Sequence, residues 1–333
     1  METAAAKDTP VIWKLQNIES TYWDEYVATR PVYDWRIFHR IDEYRRVDDT
    51  RRQHAGATAA LDIGTGSGSA IAPMTDRFDH VVATDNDPTS LSFARTRHAG
   101  LPAKRLSFTL SSGEDLLQHH APQSFDLITC AETFPLVDTE IALHNILTLL
   151  RPGGTMAIWF YGPPFFTEAK FAPQCQPLLD AIMDHKFRPI VNGGGDPARQ
   201  QSWKRAADGK FSWLEYIPLS ADRWSNVRRH KWNPQGRLSF FTANACDYPV
   251  EAVRNIGEHE TMTEEEDASF WERSWDIDML KRFVKASFPT PNDLERPDGK
   301  MDSLFEQLMD AMGGEIAVRQ FSWPAVLILA SKK

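Results

Sequence analysis

Residues 61–68 read Leu-Asp-Ile-Gly-Thr-Gly-Ser-Gly, and the apolar run Val81-Val82-Ala83-Thr84 ends in Asp85 one strand-helix unit later. Residues 57–63 read as a buried strand, and the glycines at 64, 66 and 68 let the chain turn sharply and lay bare backbone against a ligand at a helix N-terminus. An acid about 20 residues beyond such a loop accepts hydrogen bonds from ribose hydroxyls. The pair specifies a nucleoside-binding crossover inside an α/β sheet.

Details of the loop select the nucleoside. A dinucleotide loop needs Gly or Ala three residues after its second glycine, whereas position 69 is Ser and the third glycine comes early, at 68. Asp62, at the strand end, is placed to meet a positive charge, such as a cationic amino-acid end, rather than a phosphate. This Asp-x-Gly-x-Gly-x-Gly run resembles motif I of the class I methyltransferases, which use S-adenosyl-L-methionine and release S-adenosyl-L-homocysteine.

The 333 residues, 42% hydrophobic and 25% charged, suffice for one large domain or two with a sizeable core. The net charge of −9 argues against a nucleic-acid partner, which calls for a basic face. Cys130, Cys175 and Cys246 are odd in number and lack metal-ligand spacing, so neither disulfides nor a metal is expected and a reducing cytoplasm fits. Residues 1–10 hold no signal-like apolar core, and no run approaches 18 apolar residues, so no membrane partner is expected.

Strands and helices alternate after the glycine loop. Strands are predicted at 80–85, 106–110, 125–131 and 155–161, with helices at 88–99, opened by Asp87 and Pro88, and at 139–150, stopped by Arg151-Pro152-Gly153-Gly154. Residues 315–320 and 326–331, separated by a turn with Pro324, read as an antiparallel hairpin completing the sheet. About 140 residues between the fifth strand and that hairpin exceed any crossover, which predicts an inserted cap. The cap holds Trp203, Trp213, Trp224, Trp232, Trp271 and Trp275, singly core residues and together the roof of an apolar pocket.

Three further segments narrow the resemblance: Tyr26-Val27-Ala28-Thr29-Arg30-Pro31-Val32-Tyr33 followed by Ile41-Asp42-Glu43-Tyr44; Ile128-Thr129-Cys130-Ala131-Glu132; and residues 150–161 with Trp159-Phe160-Tyr161, leading into Pro163-Pro164-Phe165-Phe166. Over residues 20–185 the chain is similar to the fungal trans-aconitate methyltransferase family and its relatives in secondary metabolism. The resemblance implies a Rossmann-like doubly wound α/β fold with a C-terminal antiparallel hairpin. A helical lid would span 1–50, the cofactor-binding domain 51–165 and 301–333, and a mainly helical substrate cap 166–300. It implies that Asp62, Gly64, Thr65 and Gly66 surround the methionyl and ribose parts of the cofactor, that Asp85 binds the ribose hydroxyls, and that Asn86 lies beside the adenine. Gly113 and Glu114 would border the adenine ring, Ala131 and Glu132 would sit where cofactor and substrate meet, and Tyr26 and Arg30 would close over the cofactor. Thr133-Phe134-Pro135-Leu136 replaces a His-Trp pair that many relatives carry, a departure that points away from a small polycarboxylate substrate.

In-line methyl transfer draws much of its rate from holding donor and acceptor together and excluding water. An ionised carboxylate acceptor needs a cation to orient it, for which Arg30 and the run Arg228-Arg229-His230-Lys231 are candidates; for that run a solvated helix face is the competing reading. A phenol or enol acceptor needs a base, for which His39 and His230 are candidates. The expected function is O-methylation of a small-molecule carboxylate or acidic hydroxyl, with Arg30, His39, Glu132 and His230 as catalytic candidates. A non-methylating cyclisation, dehydration or rearrangement on the same fold, and a cofactor-sensing regulator, are the competing functions.

Overall fold

The computed structural model describes residues 20–47, 56–288 and 299–333. Two helices come first, α1 (Ser20–Thr29) and α2 (Trp35–Val47). Ile37, Phe38, Ile41 and Tyr44 recur at helical spacing on α2 and are buried, and the Asp34 carboxylate accepts the Arg36 N–H at 2.9 Å in its first turn. The alternating core follows: β1 (Ala59–Ile63), α3 (Ile71–Thr75), β2 (His80–Asp85), α4 (Pro88–Arg97), β3 (Leu106–Leu110), β4 (Phe125–Ala131), α5 (Thr139–Leu149) and β5 (Leu150–Tyr161). Asp87 caps α4 by accepting from Thr89 and Ser90 N–H, with Pro88 in the first turn, and Asp138 caps α5 by accepting from Ile141 N–H. Every residue of β4 is buried, as suits a central parallel strand covered on both faces.

Beyond β5 come β6 (Phe165–Phe166), α6 (Ala172–Val191), α7 (Pro197–Phe211), β7 (Trp224–Trp232), β8 (Thr261–Glu265), β9 (Arg273–Trp275), α8 (Ile277–Ala286), α9 (Lys300–Met312), β10 (Arg319–Ser322) and β11 (Ala325–Lys332). The main sheet runs β3-β2-β1-β4-β5-β11-β7-β8, parallel throughout except that β11 is antiparallel to both β5 and β7. The doubly wound α/β fold is thus present, with the order reversing at β1 and β4, so that the glycine loop and Glu132 share the carboxyl edge of the sheet.

Three expectations change in detail. Arg151-Pro152-Gly153-Gly154 ends α5 but already belongs to β5, where a bulge between Phe125 and Leu127 of β4 absorbs the irregular start. The two C-terminal strands do not pair with each other. β10 joins β6 and β9 in a small antiparallel sheet while β11 enters the main one, because Pro324 between them has no N–H to continue a ladder and the buried Trp323 anchors the step. The stretch 166–300, expected to be mainly helical, also supplies β7 and β8 to the central sheet.

Candidate active site

The glycine loop takes the left-handed conformation at Gly64, Gly66 and Gly68, with φ of 67°, 51° and 78°. Their surroundings differ. A Cβ on Gly64 would lie 2.3 Å from Thr133 Oγ1, whereas one on Gly66 would meet nothing within 4 Å, so Gly66 opens onto free space. The Gly66 N–H donates to Asp85 Oδ2 at 2.8 Å and the Asp87 N–H to Asp85 Oδ1 at 2.9 Å, which fixes the acid under the loop. Asp62 is buried and accepts from Thr129 Oγ1 at 2.6 Å. Burial pushes both carboxyls up to about 6, against the hydrogen bonds each accepts. Two buried carboxylates beside bare backbone favour a ligand bringing a cation and hydroxyl donors.

Next to them, Glu132 holds φ of 59°, uncommon for a residue with a side chain. It is pinned there by its N–H donating to Trp159 O at 3.0 Å and by Oε1 accepting the Tyr161 N–H at 2.5 Å. Burial pushes the carboxyl up to about 8 although Arg30, the Tyr161 N–H and Lys210 all favour its anion. Arg30, the residue after α1, donates through Nη1 to Tyr161 Oη at 3.0 Å and through Nη2 to Ser287 O. Its guanidinium carbon lies 4.8, 5.8, 5.0 and 5.7 Å from the rings of Tyr26, Tyr161, Phe240 and Phe283. Tyr26, Arg30, Tyr33 and Glu132 keep some accessible surface, while Trp159, Tyr161 and Trp271 behind them are closed off. The surface left open is lined by a cation, a carboxyl and two phenols.

Helix α1 is latched over this wall from α8. Tyr22 Oη donates to Ala286 O at 3.2 Å, Arg282 Nε donates to Glu25 at 3.0 Å, and the Trp271 indole N–H donates to Val32 O. The site is therefore closed by segments about 250 residues apart in sequence.

A model of the methyltransferase domain family matches residues 61–158. Over 99% of both chains, the sequence is 38% identical to methyltransferase pgmE of Aspergillus terreus. The chain belongs to the methyltransferase family. Methyltransferase ptaI of Pestalotiopsis fici is 35% identical over 94% of this chain and 93% of its own, and methyltransferase cfoB of Aspergillus candidus is 30% identical over 94% and 95%. The methyltransferase uses S-adenosylmethionine, and the donor set fits it: Asp62 suits the cationic amino-acid end, Asp85 the ribose hydroxyls, and the bare Gly66 backbone a close approach.

The methyltransferase gathers Tyr26, Arg30, Asp62, Gly64, Thr65, Gly66, Asp85, Ala131 and Glu132 at one edge, as charge interactions through space, loop bonds and strand pairing connect them. Gly113 and Glu114 serve this edge indirectly. Glu114 Oε1 accepts the Asp138 N–H at 2.7 Å, and Asn145 donates to the carbonyls of both, so the acid braces the neighbouring turn. Asn86 is exposed beside Asp85.

His39 and His230 are not brought to Glu132. His39, 47% exposed on α2, lies 3.5 Å from Glu43, and His230 on β7 lies 3.2 Å from Glu265 and donates to or accepts from Thr263. His39 lines a shallow cleft with Trp35, Arg36, Arg40 and Glu265, and His230 reaches it only through Glu265. The Arg228-to-Lys231 run is a strand in which Arg228 is exposed while Arg229 and Lys231 are paired inside. Arg229 meets Glu260 at 2.6 Å with neither side chain exposed and donates to Leu214 O and Ile217 O, while Lys231 reaches Glu215 at 2.8 Å. Of the six cap tryptophans, Trp271 backs the site, 5.0 Å from the Tyr161 ring, and Trp203 packs beside Lys210.

Trp203 leads to a residue that sequence reasoning missed. Lys210, near the end of α7, is 7% exposed, and its Nζ lies 5.5, 5.2 and 6.0 Å from the rings of Phe160, Trp203 and Phe241. Burial pushes its amine down to about 8, with Glu132 pulling it back up and Arg30 pressing it lower. A lysine followed by Phe211 and preceded by Gly209 carries no signal by itself; only the rings converging from three segments mark it.

Among the described residues no group of His, Cys, Asp and Glu is placed to hold a metal, and no helix is long and apolar enough to cross a membrane.

Proposed function

We propose that the methyltransferase transfers the methyl group to an oxygen of a small, largely apolar acceptor, a carboxylate or an acidic hydroxyl of a secondary metabolite. One observation carries this reading: two cations, Arg30 and Lys210, bear on the same carboxyl, Glu132, among neutral rings that offer no counter-charge. With the Glu132 carboxyl held near 8, an unpartnered anion is the species such a site lacks.

S-adenosylmethionine supplies an electrophilic methyl on a positively charged sulfur. The protein's part is positional. Asp62 and Asp85 orient the donor, Arg30 and Tyr161 fix the wall against which the acceptor lies, and α1 latched on α8 keeps water out. The apolar surroundings favour aromatic or aliphatic skeletons over a small polycarboxylate, in keeping with Phe134-Pro135 after the glutamate; Phe134 and Pro135 are buried in the turn behind it.

The test is incubation with methyl-labelled S-adenosylmethionine and a panel of acids, phenols, enols, amines and activated carbons, with products identified by mass spectrometry. Label on oxygen of apolar acceptors is the expected result. Label confined to nitrogen or carbon overturns the reading.

A further inference from the structure

A buried lysine in a folded protein is ordinarily paired, because an isolated ammonium away from water is costly. Lys231, the other buried lysine among the described residues, follows the rule by bonding Glu215 and Glu264. Lys210 does not. Its Nζ makes no hydrogen bond to any described residue, and three aromatic rings from β5, α7 and the loop after β7 surround it. Its position is not one that packing alone accounts for. Phe160 is the penultimate residue of β5, and α7 packs on the Phe134–Leu136 turn that follows Glu132, so the amine stands over the carboxyl edge where donor and acceptor must meet.

We infer that Lys210 is a catalytic base: its neutral amine takes the proton from the hydroxyl of a planar phenol or enol acceptor and then holds the resulting oxyanion. This deepens the oxygen-acceptor reading above and rests on it. The acceptor's O–H bond breaks, the proton joins the amine's lone pair, and the bonding pair stays on oxygen. That oxygen bonds the methyl carbon as the carbon–sulfur bond breaks, its electron pair remaining on sulfur. The ammonium returns its proton to water after the product leaves.

Two physical arguments favour a hydroxyl over a carboxylate. A carboxylic acid is ionised at neutral pH without help, so a base beside it would be idle, whereas a phenol with a pKa of about 10 is almost wholly protonated. An amine brought down to about 8 by burial is still mostly ammonium at pH 7.5 but keeps a neutral fraction of roughly a quarter, against about one in a thousand for an ordinary lysine, whereas a guanidinium has no neutral form to act as a base.

The experiment uses the full chain, with Lys210→Met and Lys210→Arg. Calorimetric titration with S-adenosylmethionine serves as the folding control, and each variant is expected to bind within about threefold of the wild type, since Lys210 is not part of the donor site. Transfer is then followed to 4-hydroxybiphenyl and to biphenyl-4-carboxylate, a phenol and an acid on one skeleton, and then to further planar pairs. The wild type is expected to prefer the phenol. Lys210→Met is expected to lose about 100-fold or more in kcat at pH 7.5, and Lys210→Arg to remain equally slow there, both recovering as pH rises and the phenol ionises unaided. Lys210→Arg matching the wild type at all pH values overturns the base and leaves only an anion holder, as does a wild-type preference for carboxylates. Wild-type transfer to neither oxygen class, with the cofactor still bound, overturns instead the oxygen-acceptor reading.

Discussion

Arg30 Nη1 donates to Tyr161 Oη across 3.0 Å, joining the end of α1 to the last residue of β5. The same guanidinium reaches the carbonyl of Ser287 just past α8, so one side chain ties together lid, sheet and cap. Replacing either partner leaves a polar group short of a bond in a desolvated place. Tyr161→Phe is expected to cost about 1–2 kcal/mol of stability in chemical denaturation, the range for a charge-assisted bond. Arg30→Met is expected to cost more, and to lower methyl transfer at least tenfold by loosening α1. Equal stability for Tyr161→Phe and wild type would show the bond to be idle.

Cofactor affinity should depend on pH through Asp62 and Asp85. Burial holds both near 6 in the free protein, while a cationic or hydroxyl-bearing ligand prefers them ionised. Binding therefore weakens as pH falls through about 6. With roughly tenfold lost per carboxylate one unit below its pKa, affinity at pH 5 should be about 100-fold below that at pH 7.5. Calorimetry across this range checks it, and a flat profile rejects the assignment.

Gly64 and Gly66 separate folding from binding. Both have positive φ, but Gly64→Ala also drives Cβ into the Thr133 side chain, so the variant should lose stability along with binding. Gly66→Ala meets open space, and should cost about 1 kcal/mol in backbone strain while blocking the approach of S-adenosylmethionine. Thermal melts with and without cofactor distinguish the two: the ligand-induced rise in Tm disappears in Gly66→Ala while its apo Tm stays near the wild type.

Glu132 sets a pH dependence of opposite sign to that of ordinary acidic residues. Because its carboxyl is raised to about 8, the folded state holds the proton more tightly than the unfolded state, so stability is fullest below about 4.5 and falls as pH rises through 8. Glu132→Gln removes that titration. Relative to the wild type it should gain roughly 2–4 kcal/mol between pH 5 and pH 8.5, measured by urea denaturation at the two values. A constant difference would place the titration elsewhere.

Residues 57–161 declared their structure in sequence because parallel strands covered on both faces read as unbroken apolar runs, and because Asp87-Pro88 announces a helix start by its own chemistry. The cofactor was legible for a related reason: the loop, strand end and acid that point to it lie within 25 residues of chain, 61–85. β7 was not. Its Arg229 and Lys231 resemble a solvated face until Glu260, Glu215 and Glu264 are known to lie against them, partners that no periodicity marks. His39 and His230 looked chemical as residue types, yet His39 lies on an exposed helix face beside Glu43 and His230 is held by Thr263 and Glu265. Lys210 stayed hidden because its character comes wholly from Phe160, Trp203 and Phe241, none adjacent to it in sequence.

The placement of β11 bears on when this enzyme comes into being. That strand lies between β5 and β7 and supplies the antiparallel partner of each, Ala325 pairing with Tyr161 on one side and Trp232 on the other. Until residues 325–332 have left the ribosome, the edge of β5 that carries Tyr161 has nothing to close against, and the groups that bond to Glu132 and Arg30 are not held in place. A nascent chain can shape its cofactor loop early, but the acceptor side waits for β11 to insert between β5 and β7, so the two halves of the site form at different stages of synthesis.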